Sequence, residues 1–327
     1  MLSLDEARKK IIQTDRPLLI AGEEAILDRL PAGNWIAGTI PYFMAEEGGL
    51  ESQDKIFITE IPEFISSDDI EIKMYNAETI PNVSIDAPEN GFSLIIIPAS
   101  GAVHESFAKN APNYQDILSK PIIGWISGVH LQNLGKETPK VYNGLRKKKT
   151  DQDAVVMHIT LPKNKAAIVD IINLFNQGEG DVITFEEEGF VVNDCLINGK
   201  KTNFSDYLIK NKIDTKLPLV ADLYGAMINT SFQSIDEDKK IVNLYAPVFK
   251  NIKYKIAGQV GDYVKEFTSK IPSSANNITF SCNCILNYLY SELEGKKTGS
   301  VTGPITFGEI AYQLLNQTMV YLTIKDV

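Results

Sequence analysis

The chain has 327 residues, of which 44% are hydrophobic and 23% are charged, a globular composition that excludes a largely disordered chain. That length exceeds one ordinary hydrophobic core, so two domains are expected. The formal net charge of −10 argues against a nucleic-acid partner, because binding to the phosphate backbone needs clustered Lys and Arg.

Apolar spacing predicts the secondary structure of the first part of the chain. Ser3 and Glu6 have the spacing of a capping box, which predicts a helix at the N-terminus. Apolar residues at helical spacing predict another helix over 163–176. Short apolar or alternating runs predict strands at 17–21, 55–60, 69–75, 92–97, 122–131 and 153–161.

A run of glycines and acidic residues at 177–181 is the best candidate for a linker. Domains of 1–176 and 177–327 are therefore expected. The predicted fold class is α/β of mixed α+β character, with bent, mixed and mostly antiparallel sheets flanked by helices. Beyond the linker, strands are predicted at 182–185, 190–197, 241–248, 254–257, 277–282 and 317–324, and helices at 203–211, 262–271 and 284–294.

Localisation is predicted from two further features. Residues 1–30 contain no continuous apolar leader, and the longest apolar runs have the length of strands, so neither a secretion signal nor a membrane span is expected. The three cysteines, Cys195, Cys282 and Cys284, are an odd set that fits a reducing cytoplasm better than a disulfide framework.

Cys282 and Cys284 flank Asn283 where a predicted strand meets a predicted helix. The pair supplies two ligands where a structural zinc needs four, so no metal is expected. A helix N-terminus lowers the pKa of a thiol and presents backbone N–H groups to an anion, which makes this turn a functional candidate. Two small buried side chains in a tight turn are the alternative interpretation.

Ser100 and His104 follow the apolar strand over 92–97, at the end where α/β folds present functional groups. One interpretation is a nucleophile with its base, although no acidic residue that would orient His104 is identifiable. Helix capping by Ser100 is the other interpretation. Thr39, which is predicted to lie on the rim of a sheet, is a further candidate for lining a pocket, and a kinked core strand is the alternative interpretation.

Glu309 lies in a second concentration of unusual residues. Gly303 and Gly308 bracket a short predicted strand, and 316–318 open the last strand of the chain. Polar side chains beside a backbone freed by glycine are suited to a pocket with donors and acceptors. A turn acid followed by strand-end amides is the alternative.

The second half of the sequence resembles the C-terminal part of the FIST sensory domain. The most specific strings are Gly308-Glu309-Ile310 and Asn316-Gln317-Thr318. The resemblance implies intracellular sensing of a small ligand, such as an amino acid or a similar metabolite. Further segments of this sequence occur in the same order as their counterparts in the FIST domain, namely Asn198-Gly199-Lys200, Tyr207-Leu208, 218–220, Ala246-Pro247-Val248 and Phe280-Ser281-Cys282-Asn283.

The whole chain looks like a family of uncharacterised bacterial proteins. FIST domains commonly accompany an output module, and this sequence ends soon after its last predicted strand, so the resemblance implies either an output protein as partner or another use of the domain. The strings that mark the bacterial family are Gly33-Asn34-Trp35-Ile36, Thr39-Ile40-Pro41-Tyr42-Phe43, Gly124-Trp125-Ile126-Ser127-Gly128 and Ser281-Cys282-Asn283-Cys284-Ile285-Leu286-Asn287.

The expected function is the binding of a small polar ligand between two domains, without a cofactor or metal. An enzyme is the second hypothesis, a hydrolase or transferase with Cys282 or Ser100 as nucleophile and a histidine such as His104 as base. A scaffold that acts through an exposed apolar patch is the third. The ligand site is predicted to comprise Ser281, Cys282, Asn283, Glu309, Thr39 and His104.

Overall fold

The computed structural model describes residues 1–223, 225–271 and 277–327. The chain forms two compact units, of which the first is Met1–Ile172, Thr268–Leu314 and Met319–Val327, and the second is Asn173–Phe267 and Leu315–Thr318. The predicted boundary between 176 and 177 lies near the first crossing between units. The chain then returns at Thr268, so 268–314 pack with the N-terminal residues instead of forming part of a separate C-terminal half.

The helices of the described residues are short. Ser3 caps the first one, and the predicted capping box with Glu6 is confirmed. The α-helices are α1 (Leu4–Gln13), α2 (Glu24–Leu27), α3 (Ala102–Asn110), α4 (Phe204–Lys210), α5 (Tyr263–Lys270) and α6 (Ile285–Tyr290). Single 3-10 turns occur at Ser67–Asp69, Ile80–Val83, Ala111–Asn113, Ile117–Ser119 and Leu131–Asn133.

Strands make up most of the regular structure. Up to residue 173 they are β1 (Leu18–Gly22), β2 (Trp35–Thr39), β3 (Tyr42–Ala45), β4 (Gly48–Glu51), β5 (Phe57–Glu60), β6 (Ile70–Tyr75), β7 (Gly91–Pro98), β8 (Ile122–Ser127), β9 (Val141–Asn143), β10 (Lys148–Thr150), β11 (Ala154–Thr160) and β12 (Lys165–Asn173). They continue with β13 (Ile183–Thr184), β14 (Gly189–Val192), β15 (Asp194–Ile197), β16 (Lys200–Asn203), β17 (Leu219–Leu223), β18 (Ala226–Thr230), β19 (Phe232–Asp236), β20 (Ile241–Val248), β21 (Tyr254–Ile256), β22 (Ile278–Cys284), β23 (Gly303–Thr306), β24 (Glu309–Ala311), β25 (Gln313–Leu315) and β26 (Thr318–Asp326).

The first unit contains three sheets, with strand orders β10-β9-β2-β1-β5, β25-β24-β8-β7-β11-β6 and β12-β26-β22-β23-β3-β4. Parallel pairs, such as β1 with β2 and β7 with β8, stand beside antiparallel ones. Every residue of β7 and β8 is buried, as expected for apolar strands covered on both faces.

The second unit contains two sheets, with strand orders β16-β15-β13-β21-β17-β18 and β14-β20-β19. Its core includes Phe185, whose ring lies 5.5 Å from the rings of both Phe204 and Tyr254. Together with the first unit, these sheets confirm the predicted mixed α/β fold class.

The helix predicted over 163–176 is wrong, because this segment forms the edge strand β12. Ile168, Val169 and Ile171 are β-branched, and such side chains favour the pleated surface of a sheet. Most side chains of β12, on both of its faces, are only partly buried, so apolar residues stand at consecutive positions and imitate the spacing of a helix.

None of the helices in the described ranges is long and apolar enough to cross a membrane.

Candidate functional site

The six residues of the predicted ligand site all belong to the first unit. Ser281, Cys282 and Asn283 lie on β22, just before α6, so the predicted junction of strand and helix is confirmed. Glu309 begins β24. The remaining two are Thr39, at the end of β2, and His104, on α3.

Cys282 and Glu309 meet in the core of this unit. Glu309 has no exposed surface, and Thr306 donates a hydrogen bond of 3.4 Å from its hydroxyl to the Glu309 carboxylate. The Cys282 thiol donates to the carbonyl oxygen of Gly124 at 3.3 Å. Burial and then the negative charge of Glu309 raise the pKa of Cys282 well above its usual range. This thiol is therefore protonated at neutral pH, whereas a cysteine nucleophile acts as the thiolate.

We expect the native protein to resist thiol reagents at neutral pH. Cys282 is 1% exposed, and burial also raises the pKa of the Cys195 thiol, to about 12. Because only an accessible thiolate reacts, labelling of the folded chain should be at least about tenfold slower than labelling in denaturant. Mass spectrometry of the labelled chain measures both rates, and rapid selective modification of native Cys282 would contradict this assignment.

Asn283 and Thr39 are both held by hydrogen bonds to other parts of the first unit. The Asn283 side-chain oxygen accepts from the backbone N–H of Cys284 at 2.8 Å and from the Asn287 amide at 2.9 Å, which fixes the turn into α6. The Thr39 hydroxyl accepts from the backbone N–H of Lys140 at 2.9 Å. These contacts account for both side chains as parts of the fold.

Ser100 and His104 are in contact, but through the serine backbone. The Ser100 N–H donates to Nδ1 of His104 at 3.2 Å, and Ser100 has a left-handed backbone with φ of 64°. Removal from solvent lowers the pKa of His104 to about 4. His104 is therefore neutral at pH 7, and its Nδ1 orders the turn before α3 instead of activating the serine hydroxyl.

The amides at 316–317 belong to the second unit, whereas Glu309 belongs to the first. The Asn229 amide donates to the Asn316 carbonyl oxygen at 3.0 Å, and the Ser231 hydroxyl donates to the Gln317 side-chain oxygen at 2.7 Å. Gln317 in turn donates to the carbonyl oxygen of Lys216 at 3.0 Å. This buried network ties separate strands of the second unit together.

One predicted residue, Ser281, lines a cavity of about 430 Å³ in the first unit. The walls of this β5–β22 pocket are 57–60 of β5, 278–281 of β22 and the loop 300–302. The Ser281 hydroxyl donates to the Thr302 carbonyl oxygen at 2.7 Å and so holds the loop against β22. At Gly303 a Cβ would lie 2.1 Å from the Ser281 carbonyl oxygen, so only glycine permits this close approach.

The two strands present their backbone edges to the β5–β22 pocket. Side chains of a strand alternate between the two faces of the sheet, so one face presents only every second residue. Four consecutive residues of each strand line the pocket, and the wall is therefore formed by the edge of the strand. Hydroxyl side chains from Thr59, Thr279, Ser300 and Thr302 add further donors and acceptors. Glu60 is paired with Lys10 and, at 3.1 Å, with Arg16, so its charge is compensated. The pocket is therefore polar without a large net charge.

A second group of polar and aromatic side chains, which we call the Tyr42 cluster, consists of Glu23, Tyr42, Glu51, His130 and Tyr288. His130 Nε2 lies 2.8 Å from Glu51, and the Tyr42 ring centroid lies 5.9 Å from those of both His130 and Tyr288. Among the described residues, Glu23 Oε1 and the Tyr288 hydroxyl are buried without a hydrogen-bond partner. This cluster was not predicted from the sequence, in which the position of Glu23 directly after the buried strand β1 is a local signal for that one residue only.

The Tyr42 cluster makes folding dependent on pH through Glu23. Burial, followed by the charge of Glu137, raises the pKa of Glu23. A carboxyl whose pKa is raised by folding contributes its stability at low pH, and this contribution is lost as pH rises through the folded-state value. We therefore expect Glu23→Gln to raise the Tm at pH 8 and to change it little at pH 4. Equal changes at both pH values would contradict this, and exposed Glu47→Gln is the control.

The described residues contain no group of three His, Cys, Asp or Glu side chains placed to hold a metal ion. Comparison with known protein families shows that residues 2–325 match the model of a "Family of unknown function (DUF6976)". No curated protein matches the sequence.

Proposed function

The chain belongs to the family of unknown function DUF6976, and because that membership assigns no activity, we propose from its own geometry that it binds a small polar molecule in the β5–β22 pocket. The observation that carries this proposal is a polar cavity of about 430 Å³ between two strand edges. Ligand sites of roughly 300–1,000 Å³ are typical of small molecules. Backbone groups at such edges need partners, and a polar ligand supplies them.

The proposal includes a sensory role in the cytoplasm, with the bound state passed to a partner protein. The resemblance of Gly308-Glu309-Ile310 and the neighbouring strings to the FIST domain supports the sensory part. Three free cysteines, all buried, support a reducing compartment. The geometry of Cys282 and His104 favours ligand binding over an acyl-transfer enzyme, because the thiol is protonated and the imidazole is a weak base.

Thermal unfolding with a panel of amino acids, amides and other polar metabolites tests the proposal. Ser300, an exposed residue of the pocket wall, is replaced in Ser300→Trp to fill the mouth of the pocket. Lys297→Trp is the matched control, since Lys297 is exposed in the same loop and does not line the pocket. A ligand at about 100 times its Kd stabilises the folded state by about 2.7 kcal/mol.

We expect at least one compound to raise the Tm of the wild type and of Lys297→Trp by several degrees. Ser300→Trp should lose this response while it keeps the wild-type Tm in the absence of ligand. The proposal fails if no compound stabilises the wild type, or if Ser300→Trp responds as strongly as Lys297→Trp.

A further inference from the structure

The walls of the β5–β22 pocket restrict the chemistry of its ligand. Resting on the proposed function, we propose that the ligand is a short extended peptide, or a compound with the same amide backbone, that pairs with the open edge of β5.

One edge of β5 is already used. Its residues pair with β1 in antiparallel register, with Leu19 opposite Thr59 and Ile20 opposite Ile58. The other edge begins to pair at the preceding residue, Ile56, which exchanges both backbone hydrogen bonds with Leu2, at 2.8 and 2.9 Å. The Leu2 contact identifies which residues direct their backbone groups away from β1.

Backbone groups alternate between the two edges of a strand with a period of two residues. Because Ile56 bonds to Leu2 on the edge opposite β1, Ile58 and Glu60 direct their N–H and C=O groups to that same edge. Both residues line the pocket. The wall therefore offers a donor and an acceptor at Ile58 and again at Glu60, about 6.8 Å further along the strand.

An extended peptide carries the complementary pattern, an N–H and a C=O at the same two-residue spacing. Addition of such a strand to an open sheet edge is a recurring mode of peptide recognition. A ligand that offered only acceptors or only donors would leave half of these backbone groups without partners, which costs affinity.

The size and lining of the pocket define which peptides fit. A volume of about 430 Å³ holds a compound of small-molecule size, and β22 closes the opposite side, so the site suits a peptide of a few residues at most. The hydroxyls of Thr59, Thr279 and Ser300 favour small polar side chains over large apolar ones. The compensated charge of Glu60 favours an uncharged ligand.

The test uses calorimetric titration of the full chain with three probes that differ at one amide group. The first is N-acetyl-seryl-serine N-methylamide. The second replaces its central amide with an ester, which removes one N–H donor. The third carries a methyl group on the same nitrogen, which blocks the donor and adds bulk. Ser300→Trp and Lys297→Trp are titrated in parallel, together with any metabolite that raises the Tm.

We expect the amide probe to bind the wild type and Lys297→Trp, and to bind Ser300→Trp at least about tenfold more weakly. Both altered probes should lose about tenfold or more in affinity for the wild type. Equal affinity of all three probes would overturn the backbone-pairing inference.

The inference about peptides and the proposed function fail in different ways. If no probe binds while another metabolite still stabilises the wild type and not Ser300→Trp, the peptide inference is overturned and the pocket remains a ligand site. If neither probes nor metabolites bind, both proposals are overturned.

Discussion

Gly124→Ala is expected to lower the free energy of unfolding by about 3 kcal/mol or more. Gly124 lies in β8 opposite Ile95 of the parallel neighbour β7, and a Cβ at Gly124 would lie 1.7 Å from the Ile95 carbonyl oxygen. The obstacle is backbone, which cannot rotate away as a side chain does, so the two central strands would have to separate.

Gly180→Ala is the matched control for this substitution. A Cβ at Gly180 meets no atom within 4 Å, and its backbone does not need glycine, so the change should alter stability by less than about 0.5 kcal/mol. Urea unfolding followed by circular dichroism measures both variants. Gly124→Ala with the stability of the wild type would show that the close register of β7 and β8 is incorrect.

Glu309→Ala is expected to destabilise the fold by about 2–4 kcal/mol without affecting the ligand response of the folded protein. Glu309 is completely buried and accepts a hydrogen bond from the Thr306 hydroxyl. The substitution leaves a cavity and takes away this acceptor. Because Glu309 does not line the β5–β22 pocket, its substitution should lower the stability of the fold and leave ligand binding unchanged.

Glu309→Gln and Glu78→Ala complete the comparison. The glutamine keeps the volume and one acceptor oxygen, so it should cost less than the alanine. Glu78 is exposed, and its removal should change stability by less than about 0.5 kcal/mol. If Glu309→Ala kept the wild-type Tm but abolished stabilisation by ligand, Glu309 would be a ligand-binding residue, as the sequence had suggested.

Local signals in the sequence predicted those parts of the site that depend on neighbouring residues. The turn from β22 into α6 carries its own Cys282-Asn283-Cys284 string, and the apolar run of β7 precedes α3. The capping box at Ser3 is equally local. At Ser3 and at the turn into α6 the hydrogen bonds that define the structure join residues a few positions apart, so the pattern of residue types is sufficient there.

The β5–β22 pocket could not be predicted, because its walls are distant in sequence. Both strands were expected from their composition, but nothing in 55–60 or 277–282 specifies that their edges face each other. Pairing between strands depends on packing of the whole unit, which one sequence does not reveal through local periodicity. Ser281 was identified for its place before α6, not for the cavity that it lines.

The Tyr42 cluster could not be predicted for the same reason, because its residues are distant in sequence. Glu23, Glu51 and Tyr288 come from three separate segments, and Gly49 is what lets β4 approach the Tyr288 ring, because a Cβ there would lie 2.8 Å from Cε2 of that ring. A glycine in a short edge strand does not by itself predict this contact. Burial of the side chains, and hence the raised pKa of Glu23, follows from the assembled sheets alone.

The most direct test of the central claim is backbone amide NMR of the isotope-labelled chain during titration with the compound that stabilises it most. We predict saturable shifts of the amide resonances of Ile58, Glu60 and Ser281, and unchanged resonances in the second unit at positions such as Leu196. Binding that leaves 57–60 and 278–281 unchanged, with shifts confined to other residues, would contradict the assignment of the β5–β22 pocket as the ligand site.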